Sequence, residues 1–317
     1  MNGSLAPVYL GSKFTVMKTL VVPVDAAANS TNAAHYAADM ALAIDADVLL
    51  LHVVRIPVTP AEAPVGYIFD ELNKSGKALL ENLSNDLKER THSQVNVTSL
   101  LEVGSVEFKI QETCDRIRPF AVIMGAPEGS FTRAITGSPV LDATRRLPYP
   151  VLVIPAGATF RRIRTIVLAA DAKNIAGQLP ITLSFLKSLQ QLFDSKFDVV
   201  HIDSGDDRKD GMQALGLYHW AKSLEEVNPQ LHFLKGASVL EGVQEYLYEH
   251  QGDWLMLFPE KHGLLSFHRS RSKPLILHCQ VPVMSICEAA SAGLSATARA
   301  GTLQPFPEPS PDAPSIH

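Results

Sequence analysis

Asp25, Gly125, Gly129, Gly137 and Ser138 are the residues whose types and positions in this chain suit the holding of a ligand. Four of them fall in one stretch, Ala121 to Ile154, which reads AVIMGAPEGSFTRAITGSPVLDATRRLPYPVLVI. A short apolar run ends at Gly125, a glycine-bearing loop follows, Ser138 and Pro139 open a helix, and Pro150 leads into a second apolar strand. Glycine lets a backbone come close to a ligand, and a Ser N-cap before Pro at the first helical position is a strong helix start. The amides of such a loop and helix N-terminus face whatever anion sits above them. A plainer explanation stands beside this one, because most strand-to-helix turns in α/β proteins carry glycine and bind nothing. Asp25 ends another apolar run, and Asp171 ends a third. A carboxylate at a strand's C-terminal end is placed for a ligand, and equally for capping the next turn.

The elements that must position these residues follow from the apolar pattern. TLVVPVD from Thr19 is a buried strand, and AANSTNAA after it supplies helix-start chemistry for a helix over Thr31 to Ile44. DVLLLHVV makes the second strand, Pro57, Pro60 and Pro64 mark a loop, and Tyr67 to Arg90 reads as a long amphipathic helix. A strand at Val95 to Val103, a helix at Val106 to Ile117 and the strand into Gly125 complete the approach to the glycine loop. Strands that are apolar throughout, alternating with helices, indicate a parallel sheet covered on both faces.

After Pro155 the segment GATFRRIR reads as a short linker, and the pattern then begins again. TIVLAADAKN at Thr165 repeats TLVVPVDAAN, FDVVHID at Phe197 repeats ADVLLLHVV with His201 in the place of His52, and VPVMSI at Val281 repeats YPVLVI. A duplication of about 140 residues is visible. Between these anchors the pattern predicts helices at Ile175 to Phe193, Asp207 to Glu226 and Leu240 to His250, with strands at Leu231 to Leu234 and at DWLMLF. The expected organisation is a leader over residues 1–16, one α/β domain over 17–157, a second over 162–288, and a disordered proline-rich tail over 289–317.

The chain has 317 residues, 46% hydrophobic and 19% charged, enough for two well-buried cores. A net charge of −5 argues against a general nucleic-acid or anionic-membrane binder. No apolar run approaches the roughly 18 residues of a membrane span. Cys114, Cys279 and Cys287 are scattered without metal-ligand spacing, which fits a reducing, cytoplasmic compartment. There is no nucleophile elbow, no H-E-x-x-H and no Walker loop, so a dedicated hydrolase has no support and slow ATP hydrolysis is the most that the pattern allows. Cys114 reads as an inert buried thiol, and His52 and His201 as buried structural histidines.

In these residues the chain resembles the universal stress protein family in its tandem form. The resemblance spans Met17 to Glu288 and rests on PVD closing strand one, LLHVV in strand two, MG opening the loop, and GS followed about a dozen residues later by PVLVIP. It implies two flavodoxin-like or Rossmann-like units, each an open, doubly wound parallel sheet of five strands in the order 3-2-1-4-5. It also implies ATP or another adenine nucleotide, with Mg2+ accompanying it, held where strands one and four diverge. Asp25 and Val53 would then meet the base or ribose end, and Met124, Gly125, Gly129, Gly137 and Ser138 would line the phosphate end. The family pairs through its last strand, which implies an intrachain pseudo-dimer through Val151 to Ile154 and Val281 to Ile286. Further homo-oligomers stay open.

The pattern departs from the family's in two places. The spacing here is G-x3-G-x7-G-S, where the family has G-x2-G-x9-G followed by Ser or Thr, so the loop is one residue short. Pro139 removes an amide, and Glu128 sets a carboxylate near the expected phosphates, with Arg133 available to offset it. In the second copy Pro259 stands where Gly125 stands, and Arg269 and Ser270 replace Gly137 and Ser138. Lys261, His262, His268, Arg269, Arg271 and Lys273 make that segment either a side-chain anion site or a solvated basic loop. Two functions remain: a nucleotide-binding or nucleotide-sensing stress-response regulator that acts through partners, and a scaffold of the same fold that binds no nucleotide.

Overall fold

The computed structural model describes residues 18–55, 65–126, 139–169, 179–203, 207–235, 238–258 and 272–287. In the first half these form β1 (Lys18–Pro23), α1 (Ala28–Ile44), β2 (Ala46–Val54), α2 (Val65–Arg90), β3 (Val97–Val103), α3 (Val106–Ile117), β4 (Ala121–Gly125), α4 (Pro139–Arg146) and β5 (Val151–Ile154). The second half repeats them as β6 (Thr165–Ala169), α5 (Leu179–Phe193), β7 (Lys196–Asp203), α6 (Asp207–Ser223), β8 (Gln230–Lys235), α7 (Val239–Glu249), β9 (Trp254–Leu257), α8 (Ser272–His278) and β10 (Val283–Ser285).

The strands lie in the order β3-β2-β1-β4-β5-β10-β9-β6-β7-β8. Each half therefore has the order 3-2-1-4-5 that the resemblance implies. The two five-stranded sheets are not separate, however. β5 and β10 pair antiparallel, Leu152 opposite Met284, and fuse them into one ten-stranded sheet. Both strands are buried and apolar, and pairing removes two edges that would otherwise invite aggregation. Every other neighbouring pair is parallel.

Each face of this sheet carries one core that runs through both halves. On the first face α1, α2, α5 and α6 pack over residues such as Leu20, Ile123, Ile166 and Trp254. Ala33, Ala34, Ala37, Ala38 and Ala41 are fully buried, so α1 sits close on the strands. On the second face α3, α4, α7 and α8 cover Val21, Val122, Val167 and Leu255.

The stretch after Pro155 is more than a linker. Phe160 meets Tyr36 edge-on with ring centres 5.4 Å apart and lies 6.1 Å from Phe193, which in turn is 5.4 Å from Trp254. The Trp254 indole donates a 2.7 Å hydrogen bond to the Tyr36 hydroxyl across the two halves. An aromatic cluster thus joins α1, the connection, α5 and β9. The sequence pattern also missed α8, which begins at the end of the basic segment Lys261 to Lys273, because seven residues are too few to show a period; residues 259–271 lie outside the described residues. α6 stops at Ser223 rather than Glu226, where a 3₁₀ turn over Glu225–Val227 leads to Asn228 in the left-handed region at φ 46°. The expected leader and tail lie outside the described residues.

Candidate functional site

The helices that follow β1 and β4 leave the sheet on opposite faces, α1 on the first and α4 on the second. The two strands also part early. β1 keeps six paired positions with β2 but only two with β4, Leu20 with Ala121 and Val21 with Val122. Adjacent parallel strands whose connections diverge in this way leave a crevice at their C-terminal ends, where ligands of doubly wound sheets sit.

Asp25 lies at the mouth of this crevice and is exposed. Its Oδ1 accepts a 3.0 Å hydrogen bond from the Ala27 amide, closing a turn that leads into α1. Ser30 holds the same turn from the helix side: its hydroxyl accepts from the Asp25 amide at 3.0 Å and donates to the Asp25 carbonyl at 2.8 Å. The capping role weighed for Asp25 is therefore present, and its carboxylate is turned towards α1 at a fixed place.

Asn29 links the two walls, its side-chain amide donating to the carbonyl of Ala126 just beyond β4. A Cβ on Gly125 would stand 2.3 Å from the Asn29 carbonyl oxygen and 2.6 Å from its carbon. Gly125 is thus glycine because the first turn of α1 presses on it. Asn32 extends the contact, donating to the carbonyls of Pro155 at 3.2 Å and Ala158 at 3.3 Å. Asn29, Ser30 and Asn32 are absent from the residues that sequence reasoning marked as a site. Their signal was the polar run AANSTNAA, read only as a helix start.

Val53 and Met124 are buried, with side chains in the second-face core, so their backbone groups are what they can offer a ligand. Gly129, Gly137 and Ser138 lie outside the described residues, as does Asp171. His52 is structural: its Nδ1 is 2.7 Å from the Val24 carbonyl, and its ring packs under Gly76 of α2. Glu107, in the first turn of α3, feels burial pushing its carboxyl up. Hydrogen bonds from its own amide and the Ser105 hydroxyl, with the charges of Arg55 and Arg146, outweigh that and hold it below its ordinary value.

In the second half the registers align Val21 with Val167 and Val122 with Leu255, which sets Phe258, not Pro259, at the place of Gly125. Phe258 is buried and meets Trp220 edge-on at 6.0 Å. An aromatic ring thus stands where the first half needs a bare backbone. The same registers put Asp198 and His232 where the first half has Leu49 and Leu100. Asp198 Oδ1 and His232 Nε2 are buried there without a hydrogen-bond partner, the Tyr246 hydroxyl lies beside Asp198, and Tyr246 stacks on His250 at 4.1 Å. Burial and the Asp198 charge push the Tyr246 hydroxyl well up. This polar cluster lies towards the opposite ends of the strands from the crevice, and nothing in the sequence pattern marked it.

Among the described residues no group of three or more His, Cys, Asp or Glu side chains could hold a metal ion, and no helix is long and apolar enough to cross a membrane. Cys114, Cys279 and Cys287 are buried and form no disulfide, and burial pushes the Cys114 thiol far up, out of the reactive range.

Residues 17–155 match the model of the universal stress protein family. No match is found among curated proteins. Of solved structures, a universal stress protein from Archaeoglobus fulgidus is 14% identical with a TM-score of 0.66, covering 84% of this chain and 95% of its own. A candidate universal stress protein from Pseudomonas aeruginosa is 14% identical with a TM-score of 0.55, covering 90% of this chain and 100% of its own. At these identities the likeness is one of fold, and it extends through both halves.

Proposed function

Because residues 17–155 form a domain of the universal stress protein family, we propose that this chain binds an adenine nucleotide in the first-half crevice and acts as a stress-response regulator through protein partners. The observation that carries the reading is the divergence of α1 and α4 to opposite faces beyond β1 and β4, with an exposed carboxylate, Asp25, at the mouth. In this reading Asp25 and the backbone at Val53 meet the base or ribose. The backbone from Met124 and Gly125, together with Gly129, Gly137 and Ser138, meets the phosphates, which Mg2+ accompanies. The buried cysteines, none in a disulfide, fit a cytoplasmic setting. The scaffold reading draws its support from Asn29, which ties one wall of the crevice to the other.

Calorimetric titration of ATP, ADP and AMP, with and without magnesium, separates the two. Binding by the unmodified protein, lost in Gly137→Val and weakened by about 1–3 kcal/mol in Asp25→Ala, is the expected result. Asp25→Asn keeps an acceptor for the Ala27 amide and so distinguishes the charge from the turn. No binding at millimolar nucleotide refutes the reading in favour of the scaffold.

A further inference from the structure

The second half reaches across the joint and holds α4, the helix that leads away from the glycine loop. α4 has eight residues, too few to stand as a helix without tertiary support. Its buried side chains, Val140, Leu141, Ala143 and Thr144, pack on the second face, but its last carbonyls need partners of their own. The carbonyl of Ala143 accepts from the Leu147 amide at 3.1 Å. The next two are met from the other half of the chain: the Ser285 hydroxyl donates to the Thr144 carbonyl at 2.7 Å, and the Cys287 thiol donates to the Arg145 carbonyl at 2.8 Å. Both donors are buried, at 1% and 2% exposure, so water does not substitute for them.

The arrangement is one-sided. Aligning PVLVIP from Pro150 with PVMSIC from Pro282 sets Val153 opposite Ser285 in the repeat, and Pro155 opposite Cys287. Val153 and Pro155 have no side-chain donor, so the first half cannot return the same hold to α8. In α8 the terminal carbonyl of His278 accepts instead from Gln244 of its own half, at 2.8 Å. The donors therefore point only towards the half that carries the glycine loop.

We infer that Ser285 and Cys287 are positioning residues, through which the second half sets the placement of α4 and, with it, the affinity of the first-half crevice for its ligand. The coupling to affinity rests on the nucleotide reading above, while the hold on α4 does not. The full-length Ser285→Ala, Cys287→Ala variant is compared with the unmodified chain by hydrogen exchange, peptide by peptide, without nucleotide. Exchange in α4 is expected to quicken by about ten-fold or more, with α3 unchanged. Ser285→Thr with Cys287→Ser keeps both donors and is expected to restore protection, which also covers the case of an alanine variant that folds poorly. Unchanged exchange in α4, or an equal rise in α3 and α4, overturns the inference. ATP titration then reads the coupling: affinity that falls by about ten-fold in the alanine variant and returns in the conservative one supports it. Equal affinity in both, with α4 loosened, overturns the coupling. An unmodified chain that binds no nucleotide refutes the nucleotide reading and with it the coupling, and the exchange result still decides the hold on α4.

Discussion

Gly125→Ala tests whether the crevice floor is set by packing or by space left for a ligand. The new Cβ would stand 2.3 Å from the Asn29 carbonyl oxygen, 2.6 Å from the Asn29 carbon and 3.1 Å from the Ser30 nitrogen. Since ordinary contact begins at 3.4 Å, the first turn of α1 would have to retreat by about 1 Å. All three atoms are backbone, and that backbone is tied down. Asn29 holds Ala126, Ser30 holds both ends of the Asp25 peptide unit, and Asn32 holds Pro155 and Ala158. Behind them Ala33, Ala34 and Ala37 are fully buried on the sheet. The cost therefore belongs to the upper part of the overpacking range, about 2–3 kcal/mol. For a cooperative unit of both halves that lowers the thermal midpoint by roughly 3–6 °C. Gly76→Ala is the contrast. Its Cβ would meet His52 Cδ2 at 2.8 Å and Leu101 Cδ1 at 2.9 Å, which are side-chain atoms, and alanine favours the helix there by up to about 1 kcal/mol. Its midpoint is expected to move by no more than about 2 °C. Scanning calorimetry of the two variants decides. A Gly125→Ala midpoint that falls no further than that of Gly76→Ala refutes the packing account and returns Gly125 to the ligand.

Burial, then the charge and hydrogen bond of Asp115, push the Tyr149 hydroxyl from 10.0 up to about 12. A raised acid of this kind contributes its full stability below pH 10 and loses it as pH rises towards 12, because the unfolded chain gives up the proton first. The loss is about 2–3 kcal/mol, and Tyr149→Phe is expected to flatten it; equal alkaline denaturation curves would refute the assignment. Asp198→Leu with Tyr246→Phe removes a buried carboxylate that has one oxygen unpaired together with the hydroxyl beside it, and is expected to stabilise by about 1–3 kcal/mol in denaturant titration. A lowered midpoint would show that the folded state uses that carboxylate. The shared cores predict one calorimetric transition for both halves, with calorimetric and van't Hoff enthalpies equal; two resolved transitions would show that the halves unfold apart.

What the sequence made legible was what repeats. Apolar strands of three to nine residues separated by helices show the parallel sheet directly, and the recurrence of TLVVPVD as TIVLAAD shows the duplication. Contacts that depend on a third element were not legible. Gly125 read as a phosphate glycine because glycine at a strand end serves either purpose, and only the position of Asn29 separates them. Phe160 read as linker because a single aromatic residue ahead of a pair of arginines has no period. Asp198 and His232 were hidden in strands that otherwise look like their first-half counterparts, since period-2 patterns tolerate one polar residue without losing register.

The two halves share more than an edge, and this bears on why the second persists with an aromatic residue at the glycine position. Antiparallel pairing of β5 with β10 involves only three residue pairs, a short joint by itself. The larger part of the union is side-chain packing: each sheet face has one continuous apolar cluster drawing on both halves. Phe120 of the first half meets Phe185 of α5 at 5.5 Å, and Tyr36 is bonded to Trp254. Removing the second half would therefore expose the apolar edge at β5, the ring faces of Tyr36 and Phe120, and the carbonyl end of α4 together. An aromatic residue at the glycine position leaves all of these contacts intact, because they lie along the joint and not in the crevice. The joint thus gives the second half a structural role that does not depend on its crevice residues, whereas changes at Ser285, Cys287, Trp254 or Phe185 act on the half that holds the glycine loop.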